Sequence, residues 1–254
     1  MLKNAIKAAG AAKRTALGCY ITQPAPALVE VAAAAGLDFV RLDTYHGTMT
    51  IETIDALIRA AYASGLTPTA RVQNHPFAIL QLLQLGLMGV SVPDVEDAEM
   101  ARAVVQACRY PPRGTREISR PTGTMGLSAD EYFRWADEEL IVSVQIESRR
   151  GLDNVEEILA VDGLDMVQSG RSDLSLSLGV PGQPNHPIVL EAEEKIVAAA
   201  ERAGKLVALH FQPGPGALER LREYSQRGVQ ALTIGNDTQI LYQGLRERIA
   251  TIKG

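Results

Sequence analysis

Cysteine is scarce in this chain: there are two among 254 residues, Cys19 and Cys108. They lie far apart and without metal-ligand spacing, which argues against a disulfide framework or a zinc ribbon and fits a reducing cytoplasm. Long apolar runs are also missing. The leading stretch 1–14 sets Lys3, Lys7, Lys13 and Arg14 among alanines, so it reads as a short helix rather than a signal peptide or a membrane span. Positive charge is not in excess, since 25 Lys and Arg stand against 30 Asp and Glu for a formal net charge of -5. Nucleic acid and anionic membrane both recruit basic surfaces, so neither is an expected partner. A small anion held by a few local cations is compatible with this balance. No linker, low-complexity tract or charged tail divides the sequence. With 46% hydrophobic residues the chain can bury a full core, at a length that suits one α/β barrel or two small domains.

What is present is a repeated unit: an alanine- and leucine-rich segment with charges, then a glycine, then a short apolar run of β-prone residues. VEVAAAAGLDFVRLD, LIRAAYASGLTPTARV, LQLLQLGLMGVSVP, ILAVDGLDMVQSG, VAAAERAGKLVALHF and LREYSQRGVQALTIG all follow it. Gly36, Gly65, Gly86, Gly204 and Gly228 are expected to stop helices in the left-handed conformation, with Asp162-Gly163 as an equivalent turn. The runs at 39–42, 88–92 and 231–234 are apolar on both faces, as parallel strands covered by helices are. Adding TALGCYIT at 15–22 and LIVSVQIE at 140–147 gives eight strands, each followed by a helical stretch. That alternation predicts a single domain over 1–254, a closed (β/α)8 TIM barrel rather than a doubly wound sheet. One segment breaks the rhythm. Residues 109–138 hold YPPRGTREISRPTGTMG and then a helix opening with the capping-box spacing Ser128 to Glu131. Long insertions in barrels tend to sit over the active face, so this one is a candidate lid.

Catalytic groups of a barrel come from the carboxyl ends of its strands. After the second strand stand Asp43, Thr44, Tyr45 and His46; the third ends in Arg71; the fifth in Gln145 and Glu147; the sixth in Ser169, Gly170, Arg171, Ser172 and Asp173. Two carboxylates converging at a mouth need a counter-charge, and Glu147 with Asp173 would suit Mg²⁺ or Mn²⁺, which leave positions to water and substrate oxygens. Such an ion could bind a 2-keto acid and stabilise its enolate. Arg71 could take the developing oxyanion, and His46 beside Asp43 has the makeup of an oriented general base. The turn 170–173 opens a short helix whose N–H groups could hold a carboxylate, with Arg171 adding a cation. Each residue also has an ordinary structural use: Asp173 as a helix cap, Arg71 in a rim salt bridge, His46 on the surface. An acid inside VQIE is harder to assign to structure alone. His75 and His186 precede prolines and read as turns, while His210 ends the seventh strand and could line the pocket.

Taken in order, AAAAGLDFVRLDTYHG, the arginine of TARV, LQLGLMGVSVPDVEDAEMARAVVQACRYPPRGTR, VQIESRRGLDNVEEILAVDGLDMV and SGRSDLSLSLGVPGQPNHP resemble the HpcH/HpaI aldolase and citrate lyase β-subunit family. The nearest type is the class II pyruvate aldolase that acts on 4-hydroxy-2-oxoheptanedioate. The resemblance runs nearly end to end. It implies Glu147 and Asp173 as ligands of Mg²⁺, Mn²⁺ or Co²⁺, and His46 with Asp43 as a base working through a metal-bound water. It further implies Arg71 as the enolate-stabilising residue, Gln145 in the pocket, and Gly170 with its neighbours as the carboxylate turn. The expected substrates are a pyruvate-like keto acid and an aldehyde. The expected assembly is a homohexamer, a trimer of dimers, that exchanges C-terminal helices around 241–252. Two departures stand out. Tyr45 replaces an acid beside the base, and Arg171 adds a cation at the turn, changes that would favour a more anionic substrate. Glu117 stands where a glycine is common. Two rival readings are a Claisen-type condensation or lyase step on oxaloacetate or citrate-like acids, as relatives perform in siderophore assembly, and a non-catalytic binding barrel.

Overall fold

The structure is a computed structural model that describes residues 2–211, 214 and 216–253. Eight parallel strands run β1 (Ala16–Ile21), β2 (Phe39–Asp43), β3 (Thr67–Arg71), β4 (Gly89–Val92), β5 (Ile141–Ile146), β6 (Met166–Ser169), β7 (Leu206–His210) and β8 (Ala231–Asn236). Each pairs with the next, and β8 returns to β1 to close the barrel. The helices are α1 (Ala5–Ala11), α2 (Pro26–Ala34), α3 (Ile51–Ala63), α4 (Pro76–Leu85), α5 (Ala98–Cys108), α6 (Ala129–Glu139), α7 (Arg149–Asp153), α8 (Val155–Leu159), α9 (Arg171–Ser177), α10 (Pro187–Arg202), α11 (Ala217–Gln226) and α12 (Asp237–Lys253). The five expected stop glycines all have positive φ, between 66° and 106°, so the helix ends fall where the repeat places them. Among the described residues no helix is long and apolar enough to cross a membrane.

Side chains alternate along each strand, and the two faces differ in chemistry. Val40, Leu42, Val90, Val142, Val144, Val167 and Val207 join the main core beneath the helices. Facing inward at the amino ends, Ala16, Phe39, Ile141, Met166, Ala208 and Ala231 form a second apolar cluster with Ile6 and Ala9 of α1. The leading helix is therefore a plug for the lower end of the barrel. Above that plug the interior turns polar: Arg41, Thr69, Ser91, Ser143, Gln168 and Thr233 are all buried.

The segment 109–138 is not a lid over the mouth. It connects α5 to β5, and a helix-to-strand connection lies at the amino ends of the strands. Trp135 Nε1 donates to the Leu2 carbonyl at 3.1 Å, and Arg109, itself buried, donates to Asp165 Oδ2 at 2.6 Å in the turn before β6. The capping box is formed, with Ser128 N–H donating to Glu131 Oε2 at 2.8 Å. The insertion thus clamps the plug in place on the face opposite the candidate site.

Asn4 joins these parts. Fully buried, it caps α1 by accepting from Ile6 N–H at 3.0 Å, and its amide donates to the carbonyls of Met88 at 2.9 Å and Glu139 at 2.8 Å. Asn4→Ala removes the cap and the donor to the Glu139 carbonyl, while the Met88 carbonyl keeps the Ile141 N–H at 3.0 Å, so it should cost about 1–3 kcal/mol. Urea unfolding measures this, and an unchanged midpoint would show that the plug is not held by Asn4.

Candidate active site

The carboxyl ends of the strands surround an open pocket of about 270 Å³ whose wall includes Asp43, Arg71, Gln145, Gly170, Asp173 and His210. β2 ends in Asp43 and β3 in Arg71, neighbours in register. Asp43 accepts from Arg71 Nη2 at 2.6 Å and Nε at 3.2 Å, and from the backbone N–H groups of Tyr45 at 3.3 Å and His46 at 3.2 Å. Burial would raise the Asp43 carboxyl, but the Arg71 guanidinium and these backbone donors hold it below the usual carboxylate value.

His46 is turned toward Arg71 rather than toward the carboxylate of Asp43. Its Nδ1 lies 2.7 Å from Arg71 Nη2, and a guanidinium only donates, so Nδ1 accepts and the ring proton sits on Nε2. Asp43 thus reaches the imidazole through Arg71 and through the His46 backbone. Tyr45 packs edge-on against His46 with centroids 4.7 Å apart, and its hydroxyl donates to Asp94 Oδ2 at 3.3 Å.

The fifth strand delivers Glu147 to the centre of the mouth. The side chain is 5% exposed; Oε1 accepts from the Asp94 N–H at 2.8 Å and Oε2 from Gln145 Nε2 at 2.6 Å. Burial pushes its carboxyl up to about 8; the Asp94 N–H opposes this, while the charges of Asp94 and Asp173 add to it. Gly170 presses against the pair so closely that a Cβ there would overlap Glu147 Oε2 and come within 2.6 Å of Gln145 Nε2. Asp173 is exposed in the first turn of α9, but the N-cap of that helix is Gly170, so Asp173 does not have the capping role a helix-opening acid often takes.

Arg171 does not add a free cation. It is buried, its Nε is 3.2 Å from Glu193 Oε2, and its Nη groups donate to Asn185 Oδ1 at 3.1 Å and to the His210 carbonyl at 3.3 Å. Glu193, from the middle of α10, is 1% exposed, so the pair is sealed and its net charge is close to zero. Ser172, its exposed neighbour, lines the pocket. His210 also lines it, with Nδ1 2.6 Å from Thr233 Oγ1. Burial first, then the charges of Arg41, Arg71 and Arg171, lower its pKa well below the usual histidine value.

Asp94 escaped the strand-end reading. It follows Pro93 directly after β4, has a left-handed φ of 55°, and touches both Tyr45 and Glu147. The rule that found the other residues, a polar group just past an apolar run, would have found it too. His75 and His186 are N-caps of α4 and α10 ahead of their prolines, outside the pocket wall.

Among the described residues no group of three or more His, Cys, Asp and Glu side chains is placed to hold a metal ion. Glu147 and Asp173 are a two-carboxylate set, which is compatible with a hard divalent ion because Mg²⁺ is commonly bound by one or two carboxylates with water and substrate supplying the rest. Two features of the pocket fit a cation: a buried carboxyl displaced upward with no cationic partner in contact, and Gln145 Oε1, buried without a hydrogen bond.

A closed barrel with acids and an arginine at its carboxyl mouth defines the class of pocketed (β/α)8 proteins that act on small anions. Residues 16–243 match the HpcH/HpaI aldolase/citrate lyase family, and the chain belongs to that family. It is 35% identical over 236 residues to the 5-keto-4-deoxy-D-glucarate aldolase of Klebsiella pneumoniae subsp. pneumoniae, covering 92% of this chain and 91% of that one. Among solved structures, an HpcH/HpaI aldolase from Desulfitobacterium hafniense DCB-2 superposes with a TM-score of 0.90 at 30% identity, covering 97% and 96% of the two chains. The citrate synthase SbnG does so with 0.88 at 31%, covering 98% and 97%.

The displaced Glu147 carboxyl leaves a mark on stability. Between about 4.5, its ordinary value, and about 8 the folded chain holds a proton that the unfolded chain releases. Without divalent ions this contribution is complete below that window and is lost as pH rises through it. Glu147→Gln should flatten that part of the profile and be the more stable protein at pH 8. Urea unfolding from pH 5 to 9 in chelator compares the two, and equal pH slopes would refute the assignment.

Proposed function

We propose that this protein is a divalent-metal-dependent carbon–carbon lyase, an aldolase that cleaves or forms 4-hydroxy-2-keto acids by way of a pyruvate enolate. The observation that carries the reading is the buried Glu147 carboxyl, raised in part by the charge of Asp173 and held against Gln145 and Gly170, which line the pocket with Asp173 and Arg71. The aldolase names of relatives similar over nearly the whole chain support it. The ion would be Mg²⁺, Mn²⁺ or Co²⁺, held by Glu147 and Asp173, and when bound it supplies Lewis-acid polarisation of the keto acid.

The chain's own residues supply the rest. Gln145 Oε1 is an unused acceptor, and Gly170 with Ser172 forms the turn at which the substrate carboxylate would lie. Arg71, fixed by Asp43, stabilises negative charge developing on the enolate oxygen. The same guanidinium occupies the lone pair of His46 Nδ1, so a substrate oxygen that draws Arg71 away frees His46 to take the proton of the 4-hydroxyl. Binding and basicity are coupled by one arginine.

Similarity to SbnG favours a second reading, condensation on an oxaloacetate-like acceptor. Arg171 gives it no support, because Glu193 neutralises that charge. Oxaloacetate with acetyl-CoA, assayed against pyruvate with aldehydes, separates the two reactions. With Mn²⁺ or Co²⁺ the protein should exchange the methyl protons of pyruvate for deuterium, and Glu147→Ala, Asp173→Ala and Arg71→Ala should each slow exchange by about a hundredfold or more. Absence of exchange with every divalent ion tried would remove the enolate chemistry and point to a non-catalytic barrel, and exchange unaffected by Glu147→Ala would remove Glu147 as a metal ligand.

The assembly proposed is a homohexamer built from dimers that exchange α12. This helix has no buried residue, and it exposes Leu241, Tyr242, Leu245, Ile249 and Ile252. Beside it lies an apolar groove of about 420 Å³ lined by Ile21, Leu28, Val31, Ile234 and Leu241. A second copy's helix carries the apolar side chains such a groove would bury. Light scattering should give about six times the chain mass of 27.3 kDa, and Leu241→Asp with Ile249→Asp should give a smaller species. A monomeric wild-type protein would end this part of the proposal.

A further inference from the structure

Beneath the mouth, the middle of the barrel holds a cation that no described acid neutralises. Arg41 lies on β2 two residues before Asp43, so its side chain enters the barrel on the same face, about 7 Å lower by strand rise. It is 1% exposed. Nη1 donates to Gln168 Oε1 at 2.5 Å, on the far side of the barrel, and Nε has no hydrogen-bond partner. Among the described residues no carboxylate is within ion-pair distance of it; of the three buried acids, Asp43 is committed to Arg71 and Glu193 to Arg171, and Glu147 is held by the Asp94 N–H and the Gln145 amide. Its remaining neighbours are rings. The guanidinium carbon is 5.6 Å from the Tyr20 centroid and 5.7 Å from that of Phe39. Tyr20 lines the pocket, and its other guanidinium neighbour is Arg71, also at 5.6 Å.

A buried charge without a counter-ion is unfavourable, and an apolar side chain of similar volume would fill the same layer without that cost. A charge retained under these conditions acts upward, through a weakly screening interior, on whatever occupies the pocket. We infer that Arg41 is a charge-specificity residue: without touching the ligand, it makes the pocket favour the more negative of two similar keto acids. The inference rests on the keto-acid reading of the pocket. Over roughly 10 Å at an effective dielectric constant of about 20, each unit of ligand charge should be worth roughly tenfold in affinity.

The test is a charge series on wild type, Arg41→Met and Arg41→Lys at fixed Mn²⁺, with binding of oxalate, pyruvate and uncharged pyruvamide measured by calorimetry. Arg41→Met should weaken oxalate by about a hundredfold and pyruvate by about tenfold, and leave pyruvamide unchanged. Arg41→Lys should restore the trend. Mn²⁺ alone should bind Arg41→Met more tightly than wild type, because the lost cation repels the metal; a merely structural defect would weaken metal and anions together. Equal losses for all three ligands, or no loss, overturn the inference. If wild type binds none of them, the keto-acid reading fails instead, and the Mn²⁺ comparison alone decides Arg41: tighter binding by the variant supports it, and unchanged or weaker binding overturns it. Arg41→Gln carries the same series should the Met variant not fold.

Discussion

A carboxylate brought into the neck of the barrel without a cation in contact is the constraint around which this site is built. Glu147 directly follows a strand whose residues are all buried, and it is itself only 5% exposed. What surrounds it is arranged to hold it rather than to neutralise it: one backbone N–H from Asp94 and one amide from Gln145. Two hydrogen bonds to a buried acid offset only part of its desolvation. The shape of the neighbouring chain follows from the same requirement, because the β6 turn passes so close that only glycine fits at 170.

Arg71 is the second organising group, and it has more partners than one role needs. Asp43 grips it at two points while His46 shares one of its nitrogens. A guanidinium gripped by Asp43 in this way is aimed at an incoming oxygen, and only its contact with His46 has to be given up when charge develops there. The charge ledger of the rim also differs from what its motifs imply. Tyr45 removes an acid, yet its hydroxyl leans on Asp94, a carboxylate in the turn after β4. Arg171 brings a cation, yet Glu193 cancels it. The two departures therefore leave the pocket's charge close to where it would have been without them.

Much of this was legible in the sequence because it is local. A helix ending in glycine and a strand with two apolar faces are decided within about a dozen residues, and all eight strands lie within a residue or two of their expected places. The strand-end rule then located Asp43, Arg71, Gln145, Gly170 and Asp173 on one pocket wall, with Glu147 buried behind Gln145 and Gly170. What escaped was non-local. The partner of Arg171 is 22 positions away in α10, and nothing in GRSD announces it. The composition of segment 109–138 resembles a lid, whereas the order of elements, helix before and strand after, sends it to the amino ends. Arg41 follows the same logic as Glu147, a charge within an apolar strand, but it lies in the middle of FVRLD, where the strand-end rule does not reach.

Once Glu147 gives up its proton, it and Arg41 carry opposite charges inside one barrel, and no ion pair joins them. The amides of Gln145 and Gln168 hold them instead, Gln145 donating to Glu147 and Gln168 accepting from Arg41. Neutral amides can hold an ion by hydrogen bonds without cancelling its charge. A direct pair would satisfy both ions within the protein and leave a pocket with no electrostatic demand on what enters it. Kept one layer apart, the acid favours a cation at the mouth and the arginine favours an anion above it, which is the order in which a metal and a keto acid would have to stack.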